Sequence, residues 1–207
     1  MQKIFEQPVS TQFDASMEKK NSAGPLCFVV QKHKATTLHY DFRLEIGGVM
    51  PSWSIPKGPT LDSAVRRLAI PTSDHSLEYR EFEGVIPRGE YGAGPVMIWD
   101  QGTYNAEREI SKGVREEVVD RIFGDQVMQK SLKEGNVKFR LYGNKLRGSF
   151  ALVRTSDLGS VKESWLLIKH RDEYSGSGYN ANDYDFSAKT NRSIAEIMNG
   201  SSSERRA

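Results

Sequence analysis

The chain has 207 residues, with 29 Lys and Arg against 27 Asp and Glu, a net charge of +2, 37% apolar and 27% charged residues. That length allows one well-buried domain with appendages, and the near-neutral balance excludes both a disordered polyelectrolyte and binding of nucleic acid through bulk charge, so any nucleic-acid site must be local. Cys27 is the single cysteine, which excludes an intramolecular disulfide and a Cys-based zinc site; no stretch has the length and apolarity of a membrane span or a signal h-region, so a cytoplasmic, membrane-free protein is expected.

Residues 1–25 are polar, contain the turn cluster "NSAGP" and read as an N-terminal arm. From residue 26 to 174, short β-branched and aromatic runs alternate with Gly and Pro: "LCFVVQ", "LHYDFRLEI", "VMPSWSI", "RLAIPT", "PVMIWDQGTY", "VKFRLYG", "RGSFALVR" and "ESWLLIK". This spacing predicts a mainly β domain, a barrel or sandwich, with Gly47-Gly48 turning one hairpin. Helices are expected to be few and short: one opening at Asp62 in "TLDSAVRRLA", and surface elements in the charged, glycine-interrupted stretch from residue 107 to 135. Residues 175–207, rich in Ser, Asn and Gly, read as a mobile tail with a short helix at "SIAEIM" capped by Ser193.

The second run carries the chemistry. Alternate side chains of a strand share a face, so His39, Asp41, Arg43 and Glu45 point one way while Leu38, Tyr40, Phe42, Leu44 and Ile46 point the other. The ordinary reading is a half-buried strand with a wet outer face. Against it, the polar row mixes imidazole, carboxylate and guanidinium, and three of the four histidines, His33, His39 and His75, lie close together in sequence. His39 and Asp41 stand about 7 Å apart by strand rise, close enough to share one divalent ion such as Zn, Mn or Fe. Spacing alone does not place His33.

Several residues downstream are candidates for anion binding. Lys57 lies in "IPKGP", Arg66 and Arg67 in "AVRRLAIP", and His75 in "TSDHSLEY" with Tyr79 four residues on. Arg43, Lys57 and Arg67 could together clamp a phosphate, although each alone is an ordinary surface cation. "IPRGEYGAGPVMIWDQG" has the glycines of a phosphate loop, but its second half, "PVMIWD", reads as a strand instead of the helix such loops need, so a tight turn is expected there, with Glu83, Glu90 and Tyr91 near it.

Residues 28–104, together with "GSFALVRT" and "WLLIKHRDEY", resemble the 3'-phosphoesterase module of bacterial DNA ligase D and its stand-alone archaeal relatives. The resemblance implies a compact antiparallel β-barrel with a few flanking helices, and a divalent metal, manganese favoured over zinc, cobalt or iron. It also implies healing of DNA 3' ends in non-homologous end joining: removal of a terminal ribonucleoside, then of the 3'-phosphate, to leave a 3'-OH. The motif "QKH…LHYDFRLE" assigns His33, His39 and Asp41 to the metal, and Arg43, Lys57, Arg67, His75 and Tyr79 to phosphate binding and catalysis, with Glu45 at the acidic position that ends the motif. The implied substrates are DNA or RNA-tailed primer-template 3' ends. A ligase and a polymerase would act in trans, since no such catalytic domain accompanies the module, and the protein would be a monomer.

Two other readings compete. A two-histidine, one-carboxylate set of His39, Asp41 and His75 would suit a non-haem iron oxygenase. A module that grips DNA ends without cutting them would need only the basic and aromatic residues.

Overall fold

The computed structural model describes residues 24–155 and 163–203. Among the described residues ten strands form one antiparallel sheet: β1 (Leu26–Lys34), β2 (Leu38–Leu44), β3 (Met50–Ile55), β4 (Arg66–His75), β5 (Gly84–Ile86), β6 (Gly94–Ser111), β7 (Val114–Val118), β8 (Asn136–Gly143), β9 (Arg147–Arg154) and β10 (Trp165–Lys169). Eight of them succeed one another in the order β1-β2-β3-β4-β10-β9-β8-β6, and β6 pairs back onto β1, so the ring closes. Closure removes the unpaired edges an open sheet of this size would expose. The expected β-barrel is therefore the fold, and each of the eight apolar runs seen in the sequence supplies one barrel strand. β5 and β7 are extra strands on β6.

Strand alternation fills the barrel. Phe28 and Val30 of β1, Phe42 of β2, Trp53 of β3 and Phe150 of β9 belong to one buried cluster, and the residues between them face outward. At the β2–β3 turn Ile46 and Val49 pair across Gly47 and Gly48, whose φ values of 63° and 80° suit the twist of a tight hairpin and are costly for any residue with a Cβ.

Three expectations change. No helix opens at Asp62: its carboxylate accepts the Ala64 N–H in a single turn, and the chain enters β4 at Arg66. The alternating sequence from Arg66 finds strand partners on both sides, in β3 and β10, and pairing overrides the capping signal. In the charged stretch, β6 runs on to Ser111 and hairpins with β7, and a fourteen-residue helix α1 (Arg121–Glu134) comes next. Asp120 caps α1 by accepting the Phe123 N–H, Gly135 ends it with φ 76°, and Met128 anchors it to the core.

Residues 176–203, read from composition as part of a mobile tail, lie against the barrel. Ala181 and Ile197 join the core, the Trp99 indole donates to the Tyr184 carbonyl at 2.8 Å, and Asp185 pairs with Lys32 at 2.9 Å. Helix α2 (Ile194–Ser203) begins with a capping box: the Glu196 carboxylate accepts the Ser193 N–H at 2.8 Å, and the Glu196 N–H reaches Ser193 Oγ at 3.2 Å. Except for Gly24 and Pro25, the N-terminal arm lies outside the described residues, as do residues 204–207. Among the described residues no helix is long and apolar enough to cross a membrane.

Candidate functional site

The β1–β2 register places Gln31 opposite Asp41, His33 opposite His39 and Val29 opposite Arg43. Because Phe28, Val30, Tyr40 and Phe42 point into the barrel, Gln31, His33, His39, Asp41 and Arg43 occupy its outer face. That face is not wet. A second small cluster of Val29, Met50 and Ile98 is covered by Leu77 and Ala188, so the 3-10 helix Leu77–Glu81 and the C-terminal segment form a cover over this part of the barrel. His33 is 6%, Asp41 7% and Arg43 3% exposed, whereas His39 is partly open.

The two imidazoles are set by backbone carbonyls. His33 Nε2 donates to Gly92 O at 2.7 Å and His39 Nδ1 to Thr37 O at 3.0 Å; a carbonyl only accepts, so each ring proton sits there. The opposite nitrogens then carry lone pairs, and both are turned to Asp41: His33 Nδ1 is 3.7 Å from Oδ2 and His39 Nε2 is 3.6 Å from Oδ1. These gaps are longer than a good hydrogen bond. They leave the three donor groups free to hold one divalent ion between them. His33, His39 and Asp41 offer ligand atoms all within 4.8 Å of one another, so the donor set fits a divalent metal. Burial opposes ionisation of Asp41, but neighbouring groups, the Arg43 guanidinium among them, outweigh it and hold the carboxyl below its usual range.

Arg43 joins this cluster to a second group. It donates from NH2 to Asp41 Oδ2 at 3.1 Å, from Nε to Gln31 Oε1 at 2.7 Å and from NH1 to His75 Nδ1 at 3.0 Å. A guanidinium only donates, so His75 Nδ1 accepts and Nε2 bears the proton of the neutral ring. Burial, then the charge of Arg43, pull His75 below its ordinary value, against weaker opposition from the Ser73 carbonyl, Asp41 and Asp74. Tyr79 packs on His75 with ring centroids 4.7 Å apart, and Arg43 lies 5.1 Å from the Tyr79 ring centre.

Six of the nine sequence-predicted residues thus meet: His33, His39, Asp41, Arg43, His75 and Tyr79. Lys57 is exposed in the turn after β3, whose Ser54 faces Asp41, and Arg67 pairs in register with Leu167 in β4. Neither makes a hydrogen bond or ion pair to the cluster among the described residues; Arg67 Nε is buried with no hydrogen-bond partner. Glu45, at the far end of the row, accepts the Cys27 N–H and Arg121 NH2, the latter at 2.6 Å, and ties α1 to the barrel. The set of His39, Asp41 and His75 does not assemble, because Arg43 occupies His75 Nδ1 and His33 takes the place beside Asp41.

Two contributors were not legible in advance. Gln31, fully buried, orients Arg43 and donates from Nε2 to the carbonyls of Tyr79 and Phe82. It shares strand parity with His33, the one signal that marks it. The glycine-rich stretch provides the Gly92 carbonyl on His33, a backbone contact that no residue type announces. Glu83 acts at longer range: it accepts from Ile98 N, Ser187 Oγ and Thr190 Oγ1, clasping the C-terminal segment to the chain that carries Tyr79.

A candidate metal centre of two histidines and an aspartate, backed by an arginine and a neutral histidine on the outside of a closed barrel, is the chemistry this fold presents. Residues 31–154 match the sequence model of the DNA Ligase D 3'-phosphoesterase domain, and the chain belongs to that family. It is 43% identical over 154 residues to the multifunctional non-homologous end joining protein LigD of Pseudomonas aeruginosa, covering 74% of this chain and 16% of that protein. With the multifunctional non-homologous end joining DNA repair protein LigD of Mycobacterium tuberculosis it shares 45% identity over 146 residues, 70% of this chain and 16% of the relative. The chain thus spans about a sixth of the length of these curated relatives.

Proposed function

We propose that the chain is a manganese-dependent 3'-phosphoesterase acting on DNA ends in non-homologous end joining, first as a phosphodiesterase on a terminal ribonucleoside and then as a phosphomonoesterase on the 3'-phosphate. The observation that carries this reading is the pair of imidazole lone pairs turned to Asp41, with Arg43 bonded to both Asp41 and His75. Names of the related proteins support the setting. A cytoplasmic monomer, with ligase and polymerase acting in trans, fits it.

A divalent ion held by His33, His39 and Asp41 would polarise a phosphoryl oxygen and lower the pKa of bound water. The remaining work belongs to the chain. Arg43 commits three of its five N–H groups to protein and keeps two for phosphate oxygens. His75, neutral and protonated at Nε2, is suited to donating to a phosphoryl oxygen as charge redistributes there. Tyr79 is placed to hydrogen-bond the phosphate beside it, and Lys57 and Arg67 add positive charge once substrate draws them in. Water supplies the oxygen that replaces the ester, and the departing oxygen leaves protonated.

The test is a 5'-labelled DNA primer ending in one ribonucleotide, incubated with and without manganese and resolved by end group. Stepwise appearance of a 3'-phosphate and then a 3'-OH is expected. Tight complex formation with every 3' end intact would replace this reading with the silent binding module. Uptake of oxygen with iron and an oxo acid would point to the oxygenase.

A further inference from the structure

The stretch 87–94 has one role in the site, the Gly92 carbonyl on His33, yet its most prominent side chain is unaccounted for. Tyr91, the residue before Gly92, is fully exposed. Its loop is nonetheless built of hydrogen-bonded turns. The Glu90 N–H bonds Pro87 O at 3.3 Å and the Ala93 N–H bonds Glu90 O at 3.1 Å, so two successive turns place Tyr91 at the apex. Gly89, Gly92 and Gly94 have φ values of 95°, 76° and 139°. At Gly94 a Cβ would stand 2.2 Å from Lys34 O, so the loop is seated tightly on the end of β1 next to His33. At the other end of the loop, Arg88 is exposed, and Glu90 is the only acid between it and Tyr91.

An exposed aromatic ring on a hydrogen-bonded loop that abuts His33 offers a complement to the flat face of a nucleobase. We infer that Tyr91 is a stacking platform for the terminal base of the nucleic-acid strand whose 3' phosphate enters the His33, His39 and Asp41 cluster, with Arg88 meeting the neighbouring backbone phosphate. Stacking recognises any base, so this contact gives affinity for a strand end without sequence preference. It also distinguishes a nucleotide from inorganic phosphate or a small phosphate ester, neither of which offers a face to stack. The inference rests on the function proposed above and names how that site takes its substrate.

The experiment is direct binding, which needs no turnover: fluorescence anisotropy of a 5'-fluorescein DNA 12-mer ending in a 3'-phosphate, without added metal, with full-length wild-type, Tyr91→Ala, Tyr91→Phe and the control Tyr174→Ala, an exposed tyrosine in the segment after β10; phosphate release is then read on the same oligonucleotide with manganese added. Tyr91→Ala is expected to weaken binding about tenfold, Tyr91→Phe and Tyr174→Ala less than twofold, and Tyr91→Trp to show indole quenching as the oligonucleotide is added. Wild-type binding and phosphate release matched by Tyr91→Ala would overturn the stacking role and leave the proposed function standing. A wild-type protein that neither binds the oligonucleotide nor releases its 3'-phosphate would overturn both.

Discussion

Two clusters on the outside of the barrel each set histidine near carboxylate and differ in what they leave open. On β1 and β2, His33, His39 and Asp41 converge with both imidazole lone pairs and the carboxylate oxygens unquenched by any hydrogen bond among the three. On the other half of the ring, Ser149 of β9 donates to Glu107 of β6, His170 Nδ1 lies 2.7 Å from Ser149 Oγ, and Lys169 Nζ reaches Asp172 Oδ1 at 2.5 Å. Asp172 also accepts the N–H groups of Ser149 and Tyr174. There the Ser149 hydroxyl and the Lys169 ammonium find acceptors inside the protein. The contrast is between convergent lone pairs, which leave a candidate site open, and a closed network, which spends them on stability.

The largest difference should appear when each cluster loses a member. His39→Ala removes a ligand nitrogen from a partly open position, so the protein is expected to stay folded and lose at least 100-fold in manganese-dependent release of phosphate from a 3'-phosphate primer. His75→Ala is expected to match it in activity but to keep manganese binding, because His75 touches Arg43 and not the ligand set. Wild-type-like turnover by either variant would sink the assignment. Gln31→Ala should come next, with a 10- to 100-fold loss of activity as Arg43 loses its Nε anchor and Tyr79 the support of its carbonyl. Intact manganese affinity, read by calorimetry, would separate this positioning effect from loss of the metal.

Asp172→Ala reverses the pattern. It strands the buried ammonium of Lys169, 1% exposed, and should cost about 3 kcal/mol of unfolding free energy, read by urea denaturation. Phosphate release under folding conditions should hold within a factor of two. A large loss of turnover without loss of stability would mean that the closed network serves the chemistry after all.

How much of this contrast was legible in the sequence depended on whether the signal was local. Period-two alternation placed His39, Asp41 and Arg43 on one face, and the eight apolar runs announced the barrel strands, because both signals lie within single segments. His33 could not be placed, since its nearness to Asp41 comes from hairpin register, which pairs it with His39 across β1 and β2. For Glu45 the same alternation misled: it lies on the right face but beyond the cluster, next to Arg121 of a helix more than seventy residues away in sequence. The tail was misjudged because composition records polarity, whereas its docking depends on a few anchors, Ala181, Tyr184 and Ile197, scattered among polar residues. Asp62 carried a sound capping signal, and the long-range partners of β4 overrode it.

The smallest effect is a pH dependence of stability that the closed cluster should show. Burial, then the charges of Arg115, Lys169 and Lys138, pull His170 down to about 4. In the unfolded chain the ring titrates near its ordinary value of about 6.5. Unfolded protein therefore binds more protons than folded protein between these two values, and stability contributed by the neutral ring is present above pH about 6.5 and lost progressively as pH falls toward about 4. The groups facing His170 act together, so the slope belongs to the network of Ser149, Glu107 and Asp172 as well as to the ring. Burial pushes Glu107 up despite the Ser149 hydrogen bond, which opposes the His170 effect in part of the same window. Comparing melting temperatures at pH 7 and pH 5 in wild-type and His170→Gln isolates the imidazole: the wild type should lose more on acidification than the variant, whose amide has no proton to gain. Equal losses would show that His170 is charged in the folded protein, and that its cluster is less closed than its hydrogen bonds imply.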